Sequence, residues 1–279
     1  MAQLGKQSKL TANLPMSMSK TQLDEYQRTF EKDGYVVLRN VISKDKLANF
    51  RNQLMAEFER SKTSGALFAG GGNISGHLNC FPGEESRFVY EDLEAQGVFE
   101  LVKRVYSGKM APRMGLNLNL PKSVAQHYHM DGNFTEDFMI VNVAVVDTDL
   151  VNGAIDVLPG THKRFYKFWR YAVERTYQGT TRLPLAQGDV LVRTSRLWHR
   201  GMPNNSQAPR PMLAVTIGEN CAPVGDLFQT NGGKIQFEPN WYKTDLLGRL
   251  RERAFVAAPI TYSAYRFVRS LYGNKGYDA

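Results

Sequence analysis

Apolar residues recur along this chain with two different periods, and the change between them divides it. Leu23, Tyr26 and Phe30 return at helical spacing behind Ser19, and Gln22 completes a capping box, so a helix is predicted to start there. Asp33-Gly34 signals a turn, and YVVLRNV (35–41) has strand composition. Ser43 is then placed to cap a second helix whose Leu47, Phe50, Leu54 and Phe58 form one stripe. Residues 61–87 lose this periodicity around the triplet Gly70 to Gly72, the pattern of a lid or substrate loop. A helix from Tyr90 to Tyr106 follows.

From Ala111 to Asn220 the pattern switches to short apolar runs between turn residues: MGLNLNL, VAQHYHM, MIVNVAVV, AIDVL, DVLVRT and MLAVTIG. Strands of this length and spacing predict a sandwich or barrel. A basic, aromatic insertion (163–177) interrupts them, and from Trp241 two helices broken at Pro259 are expected. The organisation read from this is a flexible arm at 1–18, one main domain over 19–240 with its β core at about 111–220, and a helical extension over 241–279.

Composition narrows the class. With 279 residues, 42% of them apolar and 11% aromatic, the chain folds around a sizeable core and is not disordered. No apolar run reaches the roughly 18 residues of a membrane-spanning helix, and the N-terminal stretch lacks the apolar core of a signal peptide, so a cytoplasmic setting is expected. Cys80 and Cys221 are too few for a disulfide framework and form no CxxC pair. The net charge of +8 suggests an acidic partner without choosing one. Residues 243–279 carry seven basic and three acidic side chains, half of that surplus.

The chemistry concentrates in His127-Tyr-His129-Met-Asp131. Alternate residues of a strand share a face, so His129 and Asp131 can converge, and His127 lies on that face too. Two imidazoles and a carboxylate on one face of iron form the facial triad of non-haem oxygenases, with positions left for co-substrate and oxygen. His199, about 70 residues on at the end of an apolar strand, can supply the second imidazole. Arg210, eleven residues later, opens the next strand, where its guanidinium could pair with a dicarboxylate through two charge-assisted bonds.

Taken jointly, these features resemble the phytanoyl-CoA dioxygenase family, Fe(II)/2-oxoglutarate-dependent oxygenases built on a double-stranded β-helix, or jelly roll. The likeness runs from about Gln22 to Ile217. It rests on FEKDGYVVLRNVIS, on HMD, on NGAIDVLPGTH and on GDVLVRTSRLWHRGMPNNSQAPR, where Asn204, Ser206 and Arg210 match the family's Asn-x-Ser-x-x-x-Arg pattern. The resemblance implies a mainly β jelly-roll fold with N-terminal helices and a C-terminal helical extension. It implies that His129, Asp131 and His199 hold Fe(II), that Arg210 binds the C5 carboxylate of 2-oxoglutarate, and that O2 is the oxidant. Gln126, Asn117 and Asn119 are candidates for the other end of 2-oxoglutarate. The substrate is expected to meet His77, Phe134, Asn142, Arg193 and Trp198.

Related halogenases lack the carboxylate, so the presence of Asp131 implies hydroxylation or another oxidative outcome with release of succinate and CO2. A polar small molecule, a saccharide or natural-product intermediate, is the expected substrate. Oxidation of a nucleic acid or an acyl-CoA on the same core, and a non-catalytic jelly-roll binding protein, are the alternatives. No nucleic-acid partner is expected, because no base-stacking aromatic platform is evident. RLRERAFVAAPITYSAYRFVRSLYG could lie on a membrane surface, but its apolar side chains are expected to pack on the barrel. Nothing in the pattern bears on oligomeric state.

Overall fold

The computed structural model describes residues 17–64, 72, 74–218, 226–238 and 245–272. Most of the expected arm, part of the 61–87 loop and Cys221 lie outside the described residues.

The capping box behaves as the sequence predicts. Ser19 Oγ accepts from Gln22 N, Gln22 Oε1 accepts from Ser19 N, and α1 (Lys20–Asp33) follows. Gly34 ends it in the left-handed region (φ 83°), which returns the chain into β1 (Tyr35–Leu38). Ser43 caps α2 (Lys44–Thr63), whose buried residues are the four of the predicted stripe. The loop region instead yields β2 (His77–Phe81), and the single helix expected over 90–106 is two, α3 (Arg87–Ala95) and α4 (Val98–Val105). Gly97, left-handed at φ 78°, sits at the break.

Most of the expected strands form. They are β3 (Pro112–Asn119), β4 (Met139–Ala144), β5 (Ile155–Val157), β6 (Thr181–Leu183), β7 (Val190–Thr194), β8 (His199–Arg200), β9 (Arg210–Ile217) and β10 (Gln236–Glu238). VAQHYHM is the exception: it forms no regular strand, only an isolated bridge between His129 and His199. The insertion contains a short helix, α5 (Phe168–Val173), and the tail forms α6 (Leu246–Ala257) and α7 (Pro259–Leu271), divided at Pro259 as expected.

The strands make a seven-stranded sheet, ordered β1-β7-β4-β9-β3-β2-β10, facing a three-stranded sheet, β6-β5-β8. All named pairings are antiparallel. Three of the seven strands of the large sheet, β1, β2 and β10, come from outside residues 111–220. Period-two alternation assigns its faces. Leu116, Leu118, Val141, Val143, Val190, Val192, Leu213 and Val215 point outward against the helical layer and form the main core with Leu47, Phe50, Leu54, Val89 and Leu101. Residues between them point toward the small sheet. Part of this inner face is apolar, where Ala144, Leu191 and Met212 pack with Val157, Leu183, Leu185 and Leu197. Polar residues lie on either side of that patch along the strands.

Candidate active site

Strand register places the polar residues of the inner face. Asn119 lies opposite Arg210 across β3 and β9, and opposite His77 across β3 and β2, so the three form a row on the inner face. On the same face but toward the other end of the strands, Asn142 of β4 lies level with Ala214 and Arg193 of β7 lies level with Thr216.

The side chains that could hold a metal come from the seam between 126–131 and 195–201. His129 and His199 exchange both backbone hydrogen bonds, at 3.0 and 2.9 Å, whereas Asp131 N donates to Ser195 O at 2.9 Å. The pairing thus slips by two residues at the Thr194–Leu197 turn, which interrupts the ladder that VAQHYHM was expected to form and swings Asp131 toward both imidazoles. The possible ligand atoms of His129, Asp131 and His199 all lie within 4.8 Å of one another. Asp131 approaches His129 Nε2 at 3.7 Å and His199 Nε2 at 3.5 Å.

The surroundings select the protonation states a metal needs. His129 Nδ1 lies 2.8 Å from His127 O, and His199 Nδ1 lies 3.0 Å from Leu197 O. A carbonyl only accepts, so each Nδ1 carries the proton and each Nε2 lone pair faces Asp131. Burial lowers both pKa values, that of His199 to about 3, so the rings are neutral at pH 7. Burial disfavours the charge on Asp131, but Arg193, donating to its Oδ2 at 2.7 Å, outweighs this with the two histidines and holds the carboxyl well below its usual range. Two neutral nitrogens and one anionic oxygen suit a divalent ion with positions to spare.

Arg210 is 6% exposed, its Nε has no hydrogen-bond partner, and among the described residues it makes no ion pair. Burial alone lowers its pKa, to about 10, so it stays charged at neutral pH. A buried cation lacking an internal counter-charge fits the carboxylate of a ligand. His77, expected in a loop, is a buried strand residue close enough to feel both Arg210 and His129, and burial lowers its pKa to about 4. Its Nε2 lies 2.8 Å from Val124 O.

Several expected site residues have other partners. Gln126 Oε1 accepts from Gly201 N at 2.9 Å, fastening the ligand seam. Asn117 Nδ2 donates to Leu78 O, and Asn119 Nδ2 to Met202 O at 2.9 Å, while Asn119 Oδ1 is buried and unpaired. Arg193 and Asn142, expected to meet substrate, are joined at 3.1 Å, and Arg193 is committed to Asp131. Trp198, the neighbour of His199, points the opposite way by alternation and is buried among Tyr128, Tyr166 and Tyr171, not at the mouth. Phe134 stands half-buried, stacked under Arg196 and against Phe165.

Residues that the sequence did not single out come from the C-terminal helices. Arg266, 1% exposed, donates to Tyr128 O at 2.6 Å and lies over the Phe168 ring. Phe255 and Tyr262 pack on His127, which contacts His129 in turn. Glu252 Oε1 accepts from Ser75 N and Oγ at 3.1 and 3.0 Å. A buried arginine inside an apolar helix is the signal that could have revealed this docking.

A jelly roll with this triad and a buried, uncompensated arginine on its inner face fits a non-haem oxygenase. The sequence profile of the phytanoyl-CoA dioxygenase (PhyH) family matches residues 30–212. Solved structures agree in fold. The non-haem α-ketoglutarate-dependent carbocyclase SnoK of nogalamycin biosynthesis superposes with a TM-score of 0.57 at 18% identity, covering 81% of this chain and 95% of that one. The epimerase SnoN of the same biosynthesis gives 0.57 at 18%, over 75% and 87% of the two chains. HygX from Streptomyces hygroscopicus, solved with nickel and 2-oxoglutarate, gives 0.54 at 16%, over 72% and 87%. The chain belongs to the phytanoyl-CoA dioxygenase family and is an iron(II)/2-oxoglutarate-dependent oxygenase.

Proposed function

We propose that the chain hydroxylates an unactivated C–H bond of a polar small molecule, a saccharide or a glycosylated natural-product intermediate. The carrying observation is the complete donor set, His129, Asp131 and His199 on one side and the uncompensated Arg210 on the other. Support for the substrate class comes from relatives of the same fold: SnoN has been solved with nogalamycin RO and HygX with hygromycin B.

When bound, Fe(II) with 2-oxoglutarate and O2 supplies the oxidising power, and 2-oxoglutarate leaves as succinate and CO2. The chain's own part is positional. His129 and His199 present neutral Nε2 atoms because their Nδ1 protons are held by backbone carbonyls. Asp131 offers one oxygen while Arg193 holds the other and Asn142 holds Arg193. Arg210 anchors the far carboxylate of the co-substrate, with His77 and Asn119 beside it. The apolar packing around Leu191, Met212 and Leu197 keeps water from the inner face between Arg210 and Arg193.

The test is succinate release by the purified chain with Fe(II) and 2-oxoglutarate across sugars, acyl thioesters and amino acids, with product masses recorded. A sugar-bearing product heavier by one oxygen is expected. His129→Ala should abolish metal binding and succinate formation, and Arg210→Lys should weaken 2-oxoglutarate binding by roughly ten- to a hundredfold, the value of a charge-assisted bond. Tight iron binding by a His129→Ala, His199→Ala double variant would overturn the site. Turnover without oxygen insertion would overturn hydroxylation alone.

A further inference from the structure

Helices α6 and α7 are built inside out. In α7 the residues turned into the protein are Arg266 and Ser270, bonded to Tyr128 O and Trp169 N, while Ile260, Ala264, Val268 and Leu271 form a stripe on the opposite side. Ile260 is 84% exposed and Val268 54%. In α6 the inward residues are Glu252 and Phe255, and Leu246, Leu247, Leu250, Ala254 and Ala257 face out, Leu247 being 75% exposed. Spacings of three and four residues make each set one helical face. Eight of the twelve large exposed apolar side chains among the described residues fall between Leu246 and Tyr272.

The polar residues beside these stripes have one sign. Arg249, Arg251 and Arg253 flank the α6 stripe, are exposed, and make no ion pair among the described residues; Arg269 is exposed on the flank of α7 and donates to Tyr265 Oη. The only acidic residue between Leu246 and Tyr272 is Glu252, which is 1% exposed. A helix that only had to pack on the barrel would turn Ile260 and Val268 inward and Arg266 outward. The barrel requires the reverse, because Arg266 caps the Tyr128 carbonyl beside the metal seam. Two neighbouring helices, about 18 and 20 Å long at 1.5 Å per residue, therefore present leucine, isoleucine and valine outward within a rim of arginine.

We propose that the outer face of α6 and α7 is a peripheral docking surface for an anionic lipid bilayer. The apolar stripes enter the headgroup boundary, and the arginines pair with lipid phosphates. Charge complementarity selects this occupant. A second copy of the chain would bring arginine rows against each other, whereas an anionic membrane satisfies both components of the face at once. The site's packing tolerates this, since the side chains that hold α6 and α7 to the barrel are not those that face outward.

The experiment is flotation of the full chain with vesicles of phosphatidylcholine alone and of phosphatidylcholine containing about a third phosphatidylglycerol, at low and high salt. Partition onto the anionic vesicles is expected to exceed that onto neutral ones by roughly tenfold or more, and to fall with salt. The variant Leu250→Asp, Ile260→Asp, Val268→Asp should lose binding, as should Arg249→Glu, Arg251→Glu, Arg253→Glu. Both should keep the wild-type melting temperature and 2-oxoglutarate affinity, because every substituted side chain is exposed. Lys20→Glu, Arg51→Glu, which lowers the net charge on a different face, should still bind. The proposal is overturned if the Asp variant binds like wild type, if the remote charge variant loses binding equally, or if the face instead holds a dimer that the Asp variant dissociates.

Discussion

Arg193 shows how a single buried charge can orient a candidate metal ligand. Its Nη1 reaches Asp131 Oδ2 at 2.7 Å and its Nε reaches Asn142 Oδ1 at 3.1 Å, so the carboxylate is oriented from behind by a side chain that is itself held. Arg193→Gln keeps a hydrogen-bond donor and removes the charge. It is expected to lower 2-oxoglutarate turnover by roughly ten- to a hundredfold, the usual effect of removing a partner behind a metal ligand. The KM for 2-oxoglutarate should change little, because Arg210 is untouched; succinate kinetics separate the two. The convergence of His129, Asp131 and His199 was legible in the sequence because residue type, spacing and the family resemblance together point to metal chemistry. Arg193 was legible only as polar and near the site, since nothing in DVLVRT says whether it turns to substrate or to Asp131.

Among the secondary-structure elements, the ones with strong local signals formed where the pattern placed them. The Ser19–Gln22 box, the Ser43 cap and the apolar runs of β3, β4, β7 and β9 are local chemistry, and their structure repeats it. HLNCF carries too short an alternation within a glycine-rich stretch to read as a strand, yet β3 recruits it as β2. β6 and β10 span three residues each, below what a period of two can reveal. The turn from α1 to β1 offers a test. Gly34 has φ 83°, and a Cβ there would come within 2.5 Å of His162 Nδ1. Gly34→Ala is therefore expected to destabilise the fold by about 1–3 kcal/mol, measured as a shift in urea midpoint at constant slope. His162 packs against the α1 terminus, near Phe30.

The molecule as a unit couples its site to its stability through buried histidines. Unfolded, His77 takes up a proton near pH 6.5; folded, burial delays this to about 4. Between those values the unfolded state binds more protons, so stability is greatest above pH 6.5 and falls as pH drops toward 4, by up to about 3 kcal/mol from this residue. His199, held to about 3, adds loss in the same direction. For the metal-free protein, urea midpoints at pH 7.5 and 4.5 should therefore differ widely, and His77→Gln should narrow the difference. An unchanged difference would show that His77 is not buried as the fold places it.

The period of the apolar pattern was sufficient for a sandwich or barrel, and the resemblance carried by four segments together supplied the jelly roll and the enzyme class. Both are properties of short segments, and short segments keep their preferences when the chain closes. Partnership was not available at that level. Whether Arg193 serves Asp131, whether His77 joins a strand, and which face of α7 turns outward all depend on residues distant in the sequence. In α7 the outcome opposes local preference: an arginine is buried and isoleucine exposed, because a backbone carbonyl beside the metal seam needs a donor. A buried acceptor left without a hydrogen bond costs more than an apolar side chain left in water. That comparison exists only once the helix and the barrel are in contact.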